Sequence, residues 1–229
     1  MVETRLTIPV GDAAVSAILS APAGAAAGAG VVLAHGAGND METPFLAGFA
    51  AALGWAGHPV LRFNFPYRER GRRAPDRAPL LEAAWRAAWE AAGGRAEFAG
   101  VPRVAAGKSM GGRIATHLVA TGRLVPAGLL LLGYPLHPAG HPEQLRDAHL
   151  YALETPLLFF AGTRDSLCDL GLLHGVLGRL RARWELEVVA GGDHSFKVRK
   201  RDGVPQAEVY GAIAARSLVW LRGLTPSPP

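Results

Sequence analysis

Arg103-Val104-Ala105-Ala106-Gly107-Lys108-Ser109-Met110-Gly111-Gly112 is the stretch from which the fold is read. Residues 103–106 have the apolar run of a short buried strand, and residues 110–120 carry a helical pattern. Between them stands a G-x-S-x-G, whose spacing has a mechanical reason. A nucleophile on a tight turn between strand and helix is strained, and the flanking glycines let backbone and helix approach without a Cβ in the way. The same residues could end a phosphate-binding loop, but that loop needs a glycine where Pro102 stands, and no clear magnesium-binding aspartate follows a buried strand in the next unit.

Outward from this point the chain alternates. Upstream, residues 31–34 read as a buried strand, 43–53 as a helix with Thr43 at its cap and Pro44 at its first position, and 60–65 as a strand. A polar, arginine-rich loop is expected over 68–79, then a helix over 80–92 with Leu81, Trp85 and Trp89 on one face. Downstream, 128–132 and 157–161 are strands apolar enough to be covered on both faces, 168–181 a helix, 185–189 the last strand and 206–221 the last helix. Residues 5–10 and 14–20, around Gly11-Asp12, form an opening hairpin. From residue 31 onward each crossover is long enough for a βαβ unit, so a mostly parallel sheet with helices on both faces is expected, the hairpin at one edge.

At 229 residues the chain suits one domain over 1–229, with a disordered tail expected at about 224–229. Its 49% hydrophobic and 19% charged residues exclude bulk disorder. One cysteine, Cys168, excludes an internal disulfide or a thiolate metal cluster and reads as a small packed residue. No leader or membrane-spanning run is apparent, so a cytoplasmic location with no membrane partner is expected. The net charge of +5 comes without interleaved aromatic residues, so no nucleic-acid partner is expected, and neither is a metal or an organic cofactor.

In doubly wound sheets ligands bind beyond the carboxyl ends of the strands, so chemistry is sought there. A serine hydroxyl is a poor nucleophile without a base, and the base needs an orienting acid. His194, in Gly191-Gly192-Asp193-His194, follows the last strand and is the candidate base for Ser109. Asp165, after the strand at 157–161, is the candidate acid, with Asp169 its rival and Asp193 a loop-capping residue. Amide donors for a developing oxyanion are expected from Met110 and from His35-Gly36-Ala37-Gly38, with Ala37 assigned and Gly36 or Gly38 open.

These residues resemble the α/β-hydrolase superfamily over nearly the whole chain from residue 31 to 221. More narrowly, Leu33-Ala34-His35-Gly36-Ala37-Gly38, Ala106 to Arg113, Gly133-Tyr134-Pro135-Leu136-His137-Pro138 and Gly162-Thr163-Arg164-Asp165 are similar to small dienelactone-hydrolase-like predicted hydrolases, the branch that includes testis-expressed and chromatin-complex subunit proteins. The resemblance implies Ser109, Asp165 and His194 as nucleophile, acid and base. Dienelactone hydrolases proper carry cysteine at the elbow, so fold and reaction type transfer whereas that substrate does not.

Between strands, residues 136–155 are too few for a cap domain; a short helix over 142–150 and an open, shallow acyl pocket are expected. Arginines 62, 68, 70, 72, 73 and 77, with Lys197, Arg199, Lys200 and Arg201, cluster after strand ends. They either draw an anionic substrate to the mouth, with His35, Gly36, Arg68 and Arg72 as candidate binding residues, or form a solvated loop partnered by Glu69 and Asp76. The expected function is serine-dependent cleavage of a small ester, lactone or thioester. The alternatives are an interaction protein with an unused triad, and acyl transfer to an acceptor other than water. Oligomeric state and substrate identity are not encoded in any motif.

Overall fold

In the computed structural model, which describes residues 1–224, a single eight-stranded sheet runs through the chain. Its strands are β1 (Val2–Val10), β2 (Ala13–Ala21), β3 (Gly30–Ala34), β4 (Val60–Phe63), β5 (Arg103–Lys108), β6 (Gly128–Leu132), β7 (Leu157–Gly162) and β8 (Trp184–Val189). Their order is β1-β2-β4-β3-β5-β6-β7-β8. β2 pairs antiparallel with β1 and β4, and every other pairing is parallel.

Alternation along the central strands feeds two cores. Val32, Ala34, Leu129, Leu131 and Phe159 face one side; Val31, Leu33, Leu130, Leu132 and Phe160 face the other. The first side is covered by α3 (Ala78–Gly93), α4 (Met110–Ala120) and α5 (Leu170–Leu177), the second by α1 (Pro44–Trp55) and α6 (Gln206–Arg222). Burying each leucine or phenylalanine contributes about 1.5–3 kcal/mol, which is why strands of nearly bare apolar residues are stable only between two helical layers. On α3 the buried stripe includes Leu81, Trp85 and Trp89, the four-residue spacing seen in the sequence.

Three expectations are corrected. The segment 68–79 is not all loop: a short helix, α2 (Pro66–Glu69), precedes it with Pro66 at its start, and α3 already begins at Ala78. Residues 142–150 do not form a helix; a 3-10 turn spans Ala148–Ala152 instead. The reason is that the Arg146 amide donates to the Leu136 carbonyl (2.8 Å) and its own carbonyl accepts from the Tyr134 hydroxyl (2.7 Å). Both groups are thereby committed to the sheet end rather than to a helical ladder. The helix expected over 168–181 is shortened to α5 because Asp169 caps its start, accepting from the Leu172 amide at 2.9 Å, and Gly178 ends it. The tail expected from residue 224 lies, apart from Leu224, outside the described residues.

The chain runs from β3 outward to β4 and then crosses to β5 on the other side of β3. Register sets Ala34 beside Gly107 and Lys108 beside Leu132, so the ends of β3, β5 and β6 are level at this switch point.

Candidate active site

Ser109 is where β5 stops and α4 begins, and it holds φ 51° and ψ −118°. A side chain at positive φ costs on the order of 1–3 kcal/mol, so the turn persists only because its surroundings impose it. The Ser109 amide donates to the Leu132 carbonyl (3.0 Å), and the indole N–H of Trp85 donates to the Gly111 carbonyl (2.9 Å). A Cβ at Gly107 would lie 2.2 Å from the Gly112 nitrogen, and one at Gly111 would lie 2.7 Å from the Ala34 and His35 carbonyl oxygens. Helix and strand therefore meet at a distance that only glycine allows.

His194 is delivered by the loop after β8, which closes on the end of β7. A Cβ at Gly162 would sit 2.2 Å from the Gly192 carbonyl oxygen, and the Arg164 amide donates to that same carbonyl (2.9 Å). Asp193 caps the loop, its Oδ1 accepting from the amides of Ser195 (2.7 Å) and Lys197 (2.9 Å). Lys108 anchors it from below: the buried ammonium donates to the His194 carbonyl at 2.5 Å. Desolvation pulls the Lys108 pKa down to about 8, against the opposing pull of Asp165 and Asp193.

The structure brings Ser109, His194 and Asp165 into one row. His194 Nε2 is 2.8 Å from Ser109 Oγ, and Nδ1 is 2.8–2.9 Å from both Asp165 carboxylate oxygens. The Asp165 side chain is fully buried and also accepts from the Leu167 amide at 2.8 Å. An ionised carboxylate only accepts, so Nδ1 carries the proton and Nε2 presents its lone pair to the serine hydroxyl. Asp169 is engaged as the α5 cap and does not join the row.

Among the described residues the Ala37 amide has no hydrogen-bond acceptor, and the Met110 amide is in the first helical position, where no intrahelical partner exists. Both residues line the same cleft as Ser109. Behind this loop, His35 is fully buried: its Nε2 accepts from the Phe65 amide (3.0 Å), so its Nδ1–H donates to the Gly36 carbonyl (2.8 Å). Burial lowers its pKa to about 4 and keeps the ring neutral. His35 thus faces the protein interior rather than a pocket, tying the β4 end to the Gly36-Ala37-Gly38 loop, with the Tyr67 hydroxyl also donating to Gly36 (3.3 Å).

Two hollows flank the serine. The larger, about 570 Å³, lies between α3 and α4 and is lined in part by Ala37, Leu81, Ser109, Met110, Ile114 and Leu167. The smaller, about 310 Å³, is lined in part by Gly36, Phe45, Lys108, Ser195 and Tyr210. Arg68 and Arg72 line neither. Arg68 pairs with Asp40 (3.3 Å) and donates to the Arg72 carbonyl (3.0 Å), and Arg72 pairs with Asp76 (2.6 Å), so both are held by local partners. Cys168 is buried, its thiol pushed up to about 12 mainly by desolvation, which leaves it unreactive. No cluster of three or more metal-ligating side chains occurs among the described residues, and no helix among them is long and apolar enough to cross a membrane.

Residues 27–222 match the alpha/beta hydrolase domain family. The chain belongs to that family. Solved structures share this hydrolase fold at low sequence identity. The dienelactone hydrolase of Anabaena variabilis is 20% identical with a TM-score of 0.72, 96% of each chain being covered. The protein XC6422 of Xanthomonas campestris, described as an a/b serine hydrolase without lid, is 22% identical over 99% of this chain and 97% of its own, with a TM-score of 0.70. Est1E of Butyrivibrio proteoclasticus, solved with ferulic acid, is 15% identical over 93% of this chain and 98% of its own, with a TM-score of 0.75.

Sequence reasoning misses three features of this hydrolase. Lys108 is visible only as a letter inside the elbow motif, and its contact with His194 joins residues 86 positions apart in the chain. Arg146 reaches the cleft from a segment with no motif. Arg113 had a usable signal: it is four residues after Ser109 on α4 and so shares its face.

Proposed function

We propose that Ser109, His194 and Asp165 act as nucleophile, base and orienting acid in the hydrolysis of a small ester-like substrate through an acyl-enzyme. The observation that carries this reading is the unbroken hydrogen-bonded row from Ser109 Oγ through His194 to the buried Asp165 carboxylate. His194 Nε2 takes the hydroxyl proton as Oγ attacks the carbonyl carbon, and Asp165 stabilises the resulting imidazolium. The amides of Met110 and Ala37 hold the negative charge that develops on the carbonyl oxygen. The bond to the leaving oxygen then breaks as His194 returns its proton to that oxygen. Water repeats the sequence on the acyl-enzyme, releasing the acid and restoring Ser109.

The same proton transfer orients the substrate. The leaving oxygen has to lie on the His194 side, and Ser195 lines the smaller hollow, so that hollow takes the leaving group. The larger cleft, which Ala37 and Met110 border, takes the acyl group.

Hydrolysis of p-nitrophenyl acetate tests the proposal. A burst of about one nitrophenolate per chain is expected from the wild type and none from Ser109→Ala. Asp165→Asn should retain the fold and lose about 10⁴ in kcat, because the wrong imidazole tautomer would be favoured. A burst undiminished in folded Ser109→Ala would overturn the assignment.

A further inference from the structure

The acyl cleft has apolar lining from Leu81, Met110, Ile114 and Leu167, and two arginines, Arg113 and Arg146, also line it. Arg113 lies one helical turn beyond Ser109 on α4, and side chains on a helix lean toward its N-terminus, so this guanidinium leans toward the serine. Arg146 comes from the opposite wall, on backbone pinned by its bonds to Leu136 and Tyr134. Both side chains are half-buried, and neither has an ion pair or hydrogen bond among the described residues. Burial disfavours the charged form of Arg113; the nearby Tyr134 opposes this, and the Arg146 charge adds to it.

The two carboxylates that line the same cleft, Asp76 and Glu82, are each paired with arginines other than Arg113 and Arg146. Asp76 accepts from Arg70 and Arg72 through one oxygen, and its other oxygen is buried. Glu82 pairs with Arg123 at 2.6 Å. Asp147, next to Arg146 in the chain, keeps its charge but lies outside the cleft lining, where it accepts from the Tyr151 hydroxyl at 2.5 Å. Partly desolvated guanidinium groups with no counter-charge are costly unless a ligand supplies one, and their planar forks suit an oxyanion.

We infer that Arg113 and Arg146 form a subsite for a carboxylate carried on the acyl group, so that the substrates are monoesters of dicarboxylic acids. The assignment rests on the hydrolase reading above for the step of turnover, whereas the anion site itself stands on the two unpaired arginines. The products would then be a dicarboxylate and an alcohol. In the same cleft, Leu81, Met110 and Ile114 offer an apolar wall for the methylene chain.

The test compares mono-(p-nitrophenyl) adipate with p-nitrophenyl hexanoate, which have the same acyl length and differ in the terminal charge. The wild type should favour the adipate ester in kcat/KM by about tenfold or more, and Arg113→Met and Arg146→Met should each remove most of that ratio. In parallel, adipate, hexanoate and inorganic phosphate are titrated calorimetrically into folded Ser109→Ala, alone and combined with each arginine variant. Adipate should bind about tenfold or more tightly than hexanoate, and either arginine substitution should abolish the difference. Equal handling of the two acyl groups, a preference unchanged in both variants, or binding of phosphate without adipate would overturn the carboxylate assignment. If neither ester turns over, the hydrolase reading fails, and the calorimetry still decides whether the arginine pair binds a carboxylate.

Discussion

Replacing Lys108 by methionine separates what the site gains from what it costs. The ammonium is buried and bonded to the His194 carbonyl, and its pKa is drawn from 10.5 to about 8. That shift corresponds to about 3 kcal/mol against folding wherever the lysine is charged in both states. The unfolded chain keeps this proton to higher pH than the folded one. Between the two pKa values the unfolded state therefore binds more protons, and stability rises with pH; the penalty is complete below about pH 8. From about pH 7 to about pH 10 the wild type should gain about 2.5 kcal/mol relative to Lys108→Met. At neutral pH the variant escapes the desolvation penalty but loses a charge-assisted bond of about 1.5–3 kcal/mol, so the two chains should unfold at similar urea concentrations. Activity should behave differently, because the His194 loop loses its anchor: kcat should fall about tenfold or more. Urea unfolding of both chains at the two pH values, with ester turnover alongside, reads all three quantities. Parallel stability curves with unchanged kcat would refute both the burial of this charge and its role in positioning His194.

Other expectations follow from the same contacts. Gly107→Ala should destabilise the chain by more than about 3 kcal/mol, since its Cβ would sit 2.2 Å from the Gly112 nitrogen; calorimetric melting with little change would show the elbow to be looser than described. His35, neutral with its pKa lowered to about 4, contributes stability that is complete above about pH 6.5 and lost as pH falls toward about 4. Up to about 3 kcal/mol is at stake, and urea unfolding of wild type against His35→Gln across that window should show the difference narrowing on acidification. Trp85→Phe should cost about 1–3 kcal/mol through the unpaired Gly111 carbonyl and lower kcat by loosening the elbow. A variant matching the wild type in both would remove Trp85 from the account.

The parallel sheet was legible because Val31-Val32-Leu33, the leucines of 129–132 and Leu157-Leu158-Phe159-Phe160 cannot be stable except between two layers. The placement of Ser109, His194 and Asp165 after the ends of β5, β8 and β7 was legible for a related reason, since topology brings strand ends together whatever the loops contain. Features set by single long-range contacts were not. Nothing in 142–150 announces that Tyr134 and Leu136 take over the backbone of Arg146. The run of arginines after β4 could be read either as a substrate guide or as a loop with local partners, because charge count does not reveal pairing: Asp76, named from the sequence, holds Arg72, and Asp40, which was not, holds Arg68. Among the described residues, the guanidinium groups of the cleft that lack a partner belong to Arg113, on α4, and Arg146, in an irregular segment after β6. Likewise His35 was read as a binding residue from its place in the glycine loop, whereas the amide of Phe65 draws its ring inward.

The central claim is that Ser109 Oγ is made nucleophilic by His194 and Asp165, and a fluorophosphonate probe followed by intact-mass and peptide mass spectrometry tests it most directly. Wild-type protein should gain one adduct, localised to Ser109, while Ser109→Ala should gain none and His194→Ala should react far more slowly. A folded wild-type chain that remains unmodified, or an adduct that persists at full rate without the Ser109 hydroxyl, would contradict it.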